Sequence, residues 1–98
     1  MKSVIWHLIA GTRGGITRGR IITLLRQTPG NANKIAETLH LDYKTVRHHL
    51  EILEKNNIIY AIAKKHYGAG YFLTESMQSH IKEFEKILVQ FGNNVGKN

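Results

Sequence analysis

The chain has 98 residues, which suits one small domain, and its 42% apolar content is that of a globular rather than a disordered protein. No apolar run approaches the roughly 20 residues that a membrane-spanning helix needs. The chain contains no cysteine, which excludes a disulfide framework, a thiolate metal site and a redox switch, so a reducing cytoplasm is expected.

The positive charge is concentrated in the first two-thirds of the chain. Fourteen Lys and Arg residues against seven Asp and Glu residues give a formal net charge of +7. Residues 1–67 hold 11 of the basic and 4 of the acidic residues, whereas residues 68–98 hold 3 of each. This segregation predicts a face that binds a polyanion such as nucleic acid. General solubility is the alternative, but it would not require the charges to be segregated.

The first 15 residues combine a short apolar block with a glycine-rich turn. The start, MKSVIWHLIAGT, faintly resembles a signal peptide, but its apolar run is only about seven residues long, so we expect folded structure there. The sequence leaves open whether this segment is helical. GTRGG (11–15) lacks the Lys-Ser/Thr ending of a phosphate-binding loop. We therefore expect a tight joint, with Arg13 and Arg18 as candidate contacts for a phosphate backbone.

Residues 17–27 are predicted to form a helix with a buried stripe. Its apolar residues have the three- and four-residue spacing of one helical face: Ile21, Leu24 and Leu25. Thr17 is expected to cap the helix, with Ile16 packed onto Ile21. The Thr-Pro-Gly sequence that follows predicts its end.

The next two predicted helices meet at a three-residue turn. The first covers about residues 32–39, with Asn31 as its cap. The second covers residues 43–56, with Asp42 as its cap and Val46, Leu50 and Leu53 facing inward. His40 takes the turn position that often requires a positive φ, which histidine tolerates better than most side chains. This order is that of a helix-turn-helix.

A predicted β-hairpin, residues 58–73, and a last helix, about residues 75–91, follow. Alternating β-branched residues indicate the first strand, and Thr74 is placed to cap the helix. The fold class is therefore mainly α with a small β-hairpin, a winged helix-turn-helix with an additional C-terminal dimerisation helix. We expect a single winged-helix domain, divided as follows: helical core 17–57 with the helix-turn-helix at 31–56, β wing 58–73, C-terminal helix 74–91 and flexible tail 92–98.

The outward face of the second helix of this motif is the candidate DNA-binding surface. With Val46 inside, a rotation of 100° per residue places four polar side chains outward on its first turns: Lys44, Thr45, Arg47 and His48. A recognition helix presents these turns to the major groove. The wing and the preceding helix supply candidate backbone contacts: Lys34, Lys64, Lys65 and His66. A solvated basic face and a merely soluble turn are the alternatives.

The adjacent histidines His48 and His49 are expected to have different roles. Consecutive helical residues point about 100° apart, so the two rings cannot form a side-by-side metal pair. His49 lies beside the inward stripe and is expected to pack, whereas His48 faces outward and is the candidate DNA contact. No third ligand is evident, so no metal ion and no cofactor are expected.

The C-terminal helix carries the spacing of a coiled-coil seam. Its apolar residues are separated by four and three positions: Met77, Ile81, Phe84, Leu88 and Phe91. Together with Trp6 near the start of the chain, they predict a homodimer interface. Two-fold symmetry would set two recognition helices about 34 Å apart, as a palindromic DNA site requires.

These residues also carry a family resemblance. DYKTVRHHLEILEKNNII (42–59) resembles the recognition-helix block of ArsR-type winged-helix transcription regulators. The longer combination of WHLIAGTRGG (6–15), TRGRII (17–22) and NANKIAETLHLDYKTVRHHL (31–50) is similar to archaeal ArsR-like proteins. The resemblance implies sequence-specific binding of double-stranded DNA by a dimeric repressor or activator. Metal sensing in the wider family relies on cysteine-containing sites, so the lack of cysteine argues against carrying that property over.

Two classes of function remain in view. The favoured one is a DNA-binding regulator, and the alternative is a winged-helix interaction module that docks on a transcription complex without reading sequence. A protein-docking helix would more often expose apolar or aromatic anchors than basic ones. An enzyme is not expected, because no nucleophile–base or carboxylate pair is evident.

Overall fold

The computed structural model describes residues 1–64 and 68–92. Six α-helices, one hairpin and a final π-helical turn follow one another in this part of the chain. Their bounds are α1 Lys2–Ile9, α2 Gly15–Gln27, α3 Ala32–Leu39, α4 Tyr43–Lys55, β1 Ile59–Lys64, β2 Gly68–Leu73, α5 Glu75–Ser79, α6 Ile81–Ile87 and the π-helical turn Leu88–Gly92. The helix-turn-helix with an adjacent wing is therefore confirmed, and the N-terminal segment left open by the sequence is helical.

The joint between α1 and α2 explains why α2 begins earlier than predicted. Gly14 caps the helix with φ +88°, a conformation that glycine adopts without strain. A Cβ at Gly15 would lie 1.9 Å from the Ile9 carbonyl oxygen, so the backbones meet too closely for any side chain. The helix consequently begins at Gly15, and the predicted Thr17 cap is wrong. Ile16 is 60% exposed, so the predicted packing of Ile16 onto the buried Ile21 is wrong as well.

Local capping fixes the helix-turn-helix as the sequence predicted. The Asn31 side chain accepts the Lys34 amide at 2.8 Å, and Asp42 accepts the amides of the first turn of α4. His40 takes the left-handed conformation, φ 56°, and lets the chain turn from α3 into α4. Asn57, two residues after the end of α4, takes the same left-handed conformation with φ 59°, and it turns the chain from α4 towards the hairpin.

The hairpin is antiparallel, with Ile59 opposite Leu73 and Lys64 opposite Gly68. Its second strand begins at Gly68, so Gly68 and Gly70 both lie within the strand. The Tyr71 amide donates to the Gly30 carbonyl at 2.8 Å, which fastens the hairpin to the α2–α3 connection. These two strands form the only sheet within residues 1–64 and 68–92.

The predicted continuous C-terminal helix is interrupted at His80. In an uninterrupted helix the Ser76 carbonyl would accept the His80 amide. Here that amide bonds instead to Met77, 3.0 Å away, while the His80 Nδ1 lies 2.9 Å from the Ser76 oxygen. A ring nitrogen thus replaces the backbone donor, and α5 and α6 become separate helices.

The core lies where α1, α2 and α4 pack against the hairpin and α6. Its buried residues come from all six helices, from both strands and from Ile58 between α4 and β1, and they form one continuous cluster. The largest are Ile5, Ile21, Ile22, Ile35, Leu50, Leu53, Ile58, Ile59, Met77, Phe84 and Ile87. This core holds α4 with its inward stripe covered and its opposite side free.

Candidate nucleic-acid interface

The inward and outward faces of α4 are those predicted from the helical wheel. Val46, Leu50 and Leu53 each expose 0% of their surface, so the rotation of the helix is fixed by packing. On the opposite face Lys44, Thr45 and His48 are exposed, and Arg47 is half-buried at the edge of that face. The structure therefore brings the four predicted recognition residues to one accessible surface.

The N-terminus of α4 is held rigidly. The Asp42 carboxylate accepts the Lys44 amide at 3.0 Å and the Thr45 amide at 3.3 Å. These bonds satisfy two of the amides that a helix N-terminus leaves unpaired. The first turn, where Lys44 and Thr45 project outward, is consequently ordered before any ligand is present.

Arg47 is connected to the wing, a feature the sequence did not reveal. Its guanidinium donates to the Tyr71 hydroxyl at 2.5 Å, and Glu51 lies 4.0 Å away on the next turn. The Tyr71 phenol, with a smaller contribution from the Glu51 carboxylate, raises the pKa of Arg47. Tyr71 is only 3% exposed. Tyr71 and Leu73 alternate with Phe72 along the second strand, and this alternation could have predicted that the Tyr71 side chain points inward. It could not have predicted the contact with Arg47.

Of the residues predicted to contact the DNA backbone, the structure describes some and not others. Lys34 is exposed on α3, one turn after the Asn31 cap. Lys64 belongs to the first strand, but its side chain, like the whole of Lys65 and His66, lies outside the described residues. In the described part of the chain neither Lys34 nor Lys44 has a carboxylate within ion-pair distance. Both ammonium groups are therefore available to an external anion.

His49 packs inside, as predicted, and its partner is Arg18. Only 7% of His49 and 3% of Arg18 is exposed, and the Arg18 Nη1 lies 3.2 Å from the His49 Nδ1. Burial, followed by the charge of Arg18 and then by His48, lowers the pKa of His49. The expectation that Arg18 would contact a phosphate backbone is wrong, because its guanidinium is enclosed by protein. Arg13, by contrast, is exposed.

The residues predicted for the dimer interface fall into two groups. Met77 and Phe84 are 0% exposed within the chain's own core, so they have no free surface to offer a second copy. Trp6 donates its indole N–H to the Glu83 carboxylate at 2.7 Å and contacts Phe91 edge-on, with 6.0 Å between ring centroids. The predicted interface therefore keeps three partly buried residues, Trp6, Ile81 and Leu88, and the 44% exposed Phe91.

A wide apolar groove accompanies these exposed residues. Its volume is about 1030 Å³, and it runs between the α1–α2 joint, one side of α2 and the C-terminal turn. Residues that line it include Ile9, Ile16, Leu24, Leu39, Ile87, Leu88 and Phe91. The groove could not be predicted from the sequence, because its walls come from segments far apart in the chain.

Neither a metal centre nor a membrane helix is found in the described residues. Residues 1–64 and 68–92 contain no group of three or more His, Asp or Glu side chains that could hold a metal ion. Within the same ranges no helix is long and apolar enough to cross a membrane.

Comparison with known proteins finds a family model that is similar to the helix-turn-helix segment. Residues 16–61 match the family model described as bacterial regulatory protein, arsR family. The segment covers α2, α3, α4 and the beginning of the wing, so it contains the whole candidate interface on α4. No curated protein matches the chain.

Solved structures show the same architecture. The reduced form of the transcriptional regulator YodB from B. subtilis is similar at 26% identity, with a TM-score of 0.65 over 85% of this chain and 84% of that one. The transcriptional repressor CouR, bound to a 23-mer DNA duplex, is similar at 19% identity, with a TM-score of 0.70 over 87% and 62%. The Zalpha domain of Carassius auratus PKZ in complex with Z-DNA matches at 28% identity, with a TM-score of 0.59 over 64% and 100%. The chain thus shares the fold of these proteins, and its helix-turn-helix segment is similar to that of the arsR family.

Proposed function

We propose that this chain, which carries the helix-turn-helix of the arsR family of bacterial regulatory proteins, is a transcription regulator that binds a specific DNA sequence as a homodimer. One observation carries the proposal: the outward face of α4 presents Lys44, Thr45, Arg47 and His48 together, while its inward face is fully buried. A helix of this width fits the major groove of B-form DNA.

The chemistry of the face favours sequence reading over simple attraction. Arg47 can make a forked contact with guanine, and the Thr45 hydroxyl can donate to or accept from a base edge. Lys34 and Lys44 supply charge for phosphate groups, which fix orientation without reading sequence. The wing residues Lys64, Lys65 and His66 stay part of the proposal as contacts to the DNA backbone.

Homodimer formation is proposed through the apolar groove and the exposed end of the C-terminal turn. Leu88 and Phe91 meet there with Ile16, which is 60% exposed. Burying apolar surface of this kind drives most protein association. A two-fold arrangement would repeat α4 at about one helical turn of DNA, roughly 34 Å.

The alternative is an interaction module that docks on a protein complex without reading sequence. One observation favours it: the outer face of the hairpin exposes Tyr60 and Ile62, at 43% and 46%, and Tyr60 stacks on Phe72 with 5.5 Å between ring centroids. Exposed aromatic residues are common anchors in protein interfaces. They lie on the hairpin, however, and the exposed face of α4 carries polar side chains.

The test is selection followed by quantitative binding. A random-sequence duplex pool and the chain's own upstream DNA would be offered to the protein, and fluorescence anisotropy across a salt series would compare the enriched duplex with a scrambled one. For a dimer that contacts about 8 phosphates, the plot of log binding constant against log salt concentration should have a slope of about −7. The enriched duplex should bind at least about a hundredfold tighter than the scrambled duplex.

Arg47→Ala tests whether the outward face of α4 reads the DNA sequence, and Arg26→Ala is its control. Arg26 is an exposed arginine whose nearest described carboxylate is Glu85, 3.3 Å away on a different surface, and its loss removes the same charge. Arg47→Ala should cost about 1–3 kcal/mol and relax preference at one base pair, whereas Arg26→Ala should leave that preference unchanged. Equal weak binding of every duplex by the wild-type protein would instead support a protein-docking role.

A further inference from the structure

A buried cation lies under the candidate recognition helix. The Arg18 guanidinium donates to the Leu8 carbonyl at 2.8 Å, to the Arg13 carbonyl at 3.0 Å and to the Thr12 hydroxyl at 2.6 Å. Its remaining described contact is with the His49 Nδ1 at 3.2 Å. Arg18 therefore joins the end of α1 and the α1–α2 joint to the middle of α4.

The donor and acceptor chemistry of this contact fixes the state of His49. A guanidinium has only N–H donors, so the Nδ1 that faces it must be an acceptor. His49 is consequently neutral, with its proton on Nε2. In the described chain no carboxylate forms an ion pair with Arg18, so nothing nearby would compensate for a second positive charge.

The surroundings of the ring leave little room for adjustment. A Cβ at Gly14 would lie 2.6 Å from the His49 Cε1, so the joint packs directly against the imidazole. On the other side His48, the next residue of α4, stands with its ring centroid 5.2 Å from that of His49. A displacement of His49 would therefore be passed to the exposed side chain beside it.

We infer that Arg18 and His49 form a positioning pair, which acts with the packed inward stripe of α4 to set the depth of the helix, so that Arg47 and His48 meet DNA in one geometry. The inference rests on the proposed function of α4 as the recognition helix. Arg18 and His49 touch no DNA themselves and act through their neighbours.

The pair should respond to acid. A proton on the His49 Nδ1 would place two donors and two positive charges against each other in a buried site. The charged or titratable groups that face His49 are Arg18 on α2 and His48 on α4, and the α1–α2 joint meets it with the uncharged Gly14. Protonation should thus break the bond and release α4 from its position.

The first measurement uses the free protein and requires no DNA. Imidazole ¹⁵N shifts would be followed between about pH 8 and about pH 5, around the ordinary histidine range. The titration would be recorded in a His48→Asn variant, which lacks the adjacent histidine ring. The same variant at about pH 8 serves as the reference state. The result expected is an Nε2–H tautomer at neutral pH, with backbone amide shifts of residues 44–48 that move together with the titration of His49. A proton on Nδ1 at neutral pH would overturn the inference, and so would backbone amide shifts of residues 44–48 that do not change as His49 titrates. Either result would hold independently of what the protein binds.

Two substitutions separate positioning from packing. His49→Asn keeps an acceptor close to the place of Nδ1 but cannot take up a proton, and Asn resembles His in helix propensity. His49→Leu keeps the bulk and removes the acceptor. Circular dichroism and thermal unfolding would show that each variant folds. If His49→Leu does not fold, His49→Asn and the pH series still decide the question.

The closing experiment compares binding to the enriched and scrambled duplexes described above. With His49→Leu the ratio of the two affinities should fall by at least about tenfold, and with His49→Asn it should stay within about threefold of the reference. In acid the ratio should fall more steeply for the protein with His49 than for His49→Asn, in which the exposed His48 is unchanged. An unchanged ratio with His49→Leu would refute positioning. If the wild-type protein enriches no duplex, the proposed function fails, and the free-protein titration alone judges the pair.

Discussion

Tyr71→Phe tests whether the wing helps to orient the recognition helix. The substitution removes one hydroxyl from a ring that is 3% exposed and leaves the ring itself in place. The lost contact is the 2.5 Å bond donated by Arg47. Because the Tyr71 amide still bonds to Gly30, the attachment of the hairpin to the α2–α3 connection is kept.

The expected effect on stability is small and that on base discrimination is larger. The Arg47 side chain is 39% exposed, so water can replace the lost partner, and the free energy of unfolding should fall by about 0.5–1.5 kcal/mol. A full forked contact of Arg47 with guanine is worth about 1–3 kcal/mol of discrimination. Without the hydroxyl Arg47 samples more rotamers, so we expect roughly half of that discrimination to be lost.

The assay is a double-mutant cycle on the enriched duplex and on its single-base variants. Tyr71→Phe, Arg47→Ala and the double variant would be compared, since coupled residues show non-additive effects. Tyr60→Phe is the matched control, because it removes an exposed tyrosine hydroxyl from the opposite face of the same hairpin. Strict additivity, or full discrimination in Tyr71→Phe at the base pair that Arg47→Ala relaxes, would refute the role assigned to Tyr71.

Two further predictions concern the core and the pH dependence of stability. Phe84→Ala should lower the free energy of unfolding by about 3–5 kcal/mol in urea at every protein concentration, because Phe84 is 0% exposed in its own chain. Phe91→Ser, which removes the edge-on contact with Trp6, should lower that energy much less than Phe84→Ala does and should weaken self-association in sedimentation. The opposite pattern would place Phe84 between two copies. Because the pKa of His49 is lowered in the folded state, the unfolded chain takes up this proton first, and stability should fall as pH drops below about 6.5. The slope should be at most about 1.4 kcal/mol per pH unit and absent in His49→Asn, as thermal melts between about pH 8 and about pH 5.5 would show.

The predictions that succeeded depend on neighbours close in the chain. Caps at Asn31, Asp42 and Thr74 bond to amides two or three residues away, and each is present. The inward stripe of α4 follows from the helical period alone. Such features are set by local geometry, which a sequence shows directly.

The predictions that failed required knowledge of what packs against each segment. The four- and three-residue spacing of the last helix marks an apolar face, but it does not distinguish the chain's own core from a second copy. Phe84 and Met77 turned out to face the core. Likewise, GTRGG could be identified as a joint, but the contact of Gly15 with the Ile9 carbonyl, which moves the start of α2, exists only in three dimensions.

His48 and His49 show both the reach and the limit of sequence reasoning. Helical geometry was enough to predict that one ring faces solvent and the other packs inside, and the structure confirms it. It could not supply Arg18, which is 31 positions away and is itself placed by carbonyls of α1 and the joint. That partner changes the chemistry of His49 from a packed side chain to an obligatory acceptor. The inward histidine therefore bears on the candidate DNA-binding face more than its burial alone suggests, because it connects that face to the rest of the fold.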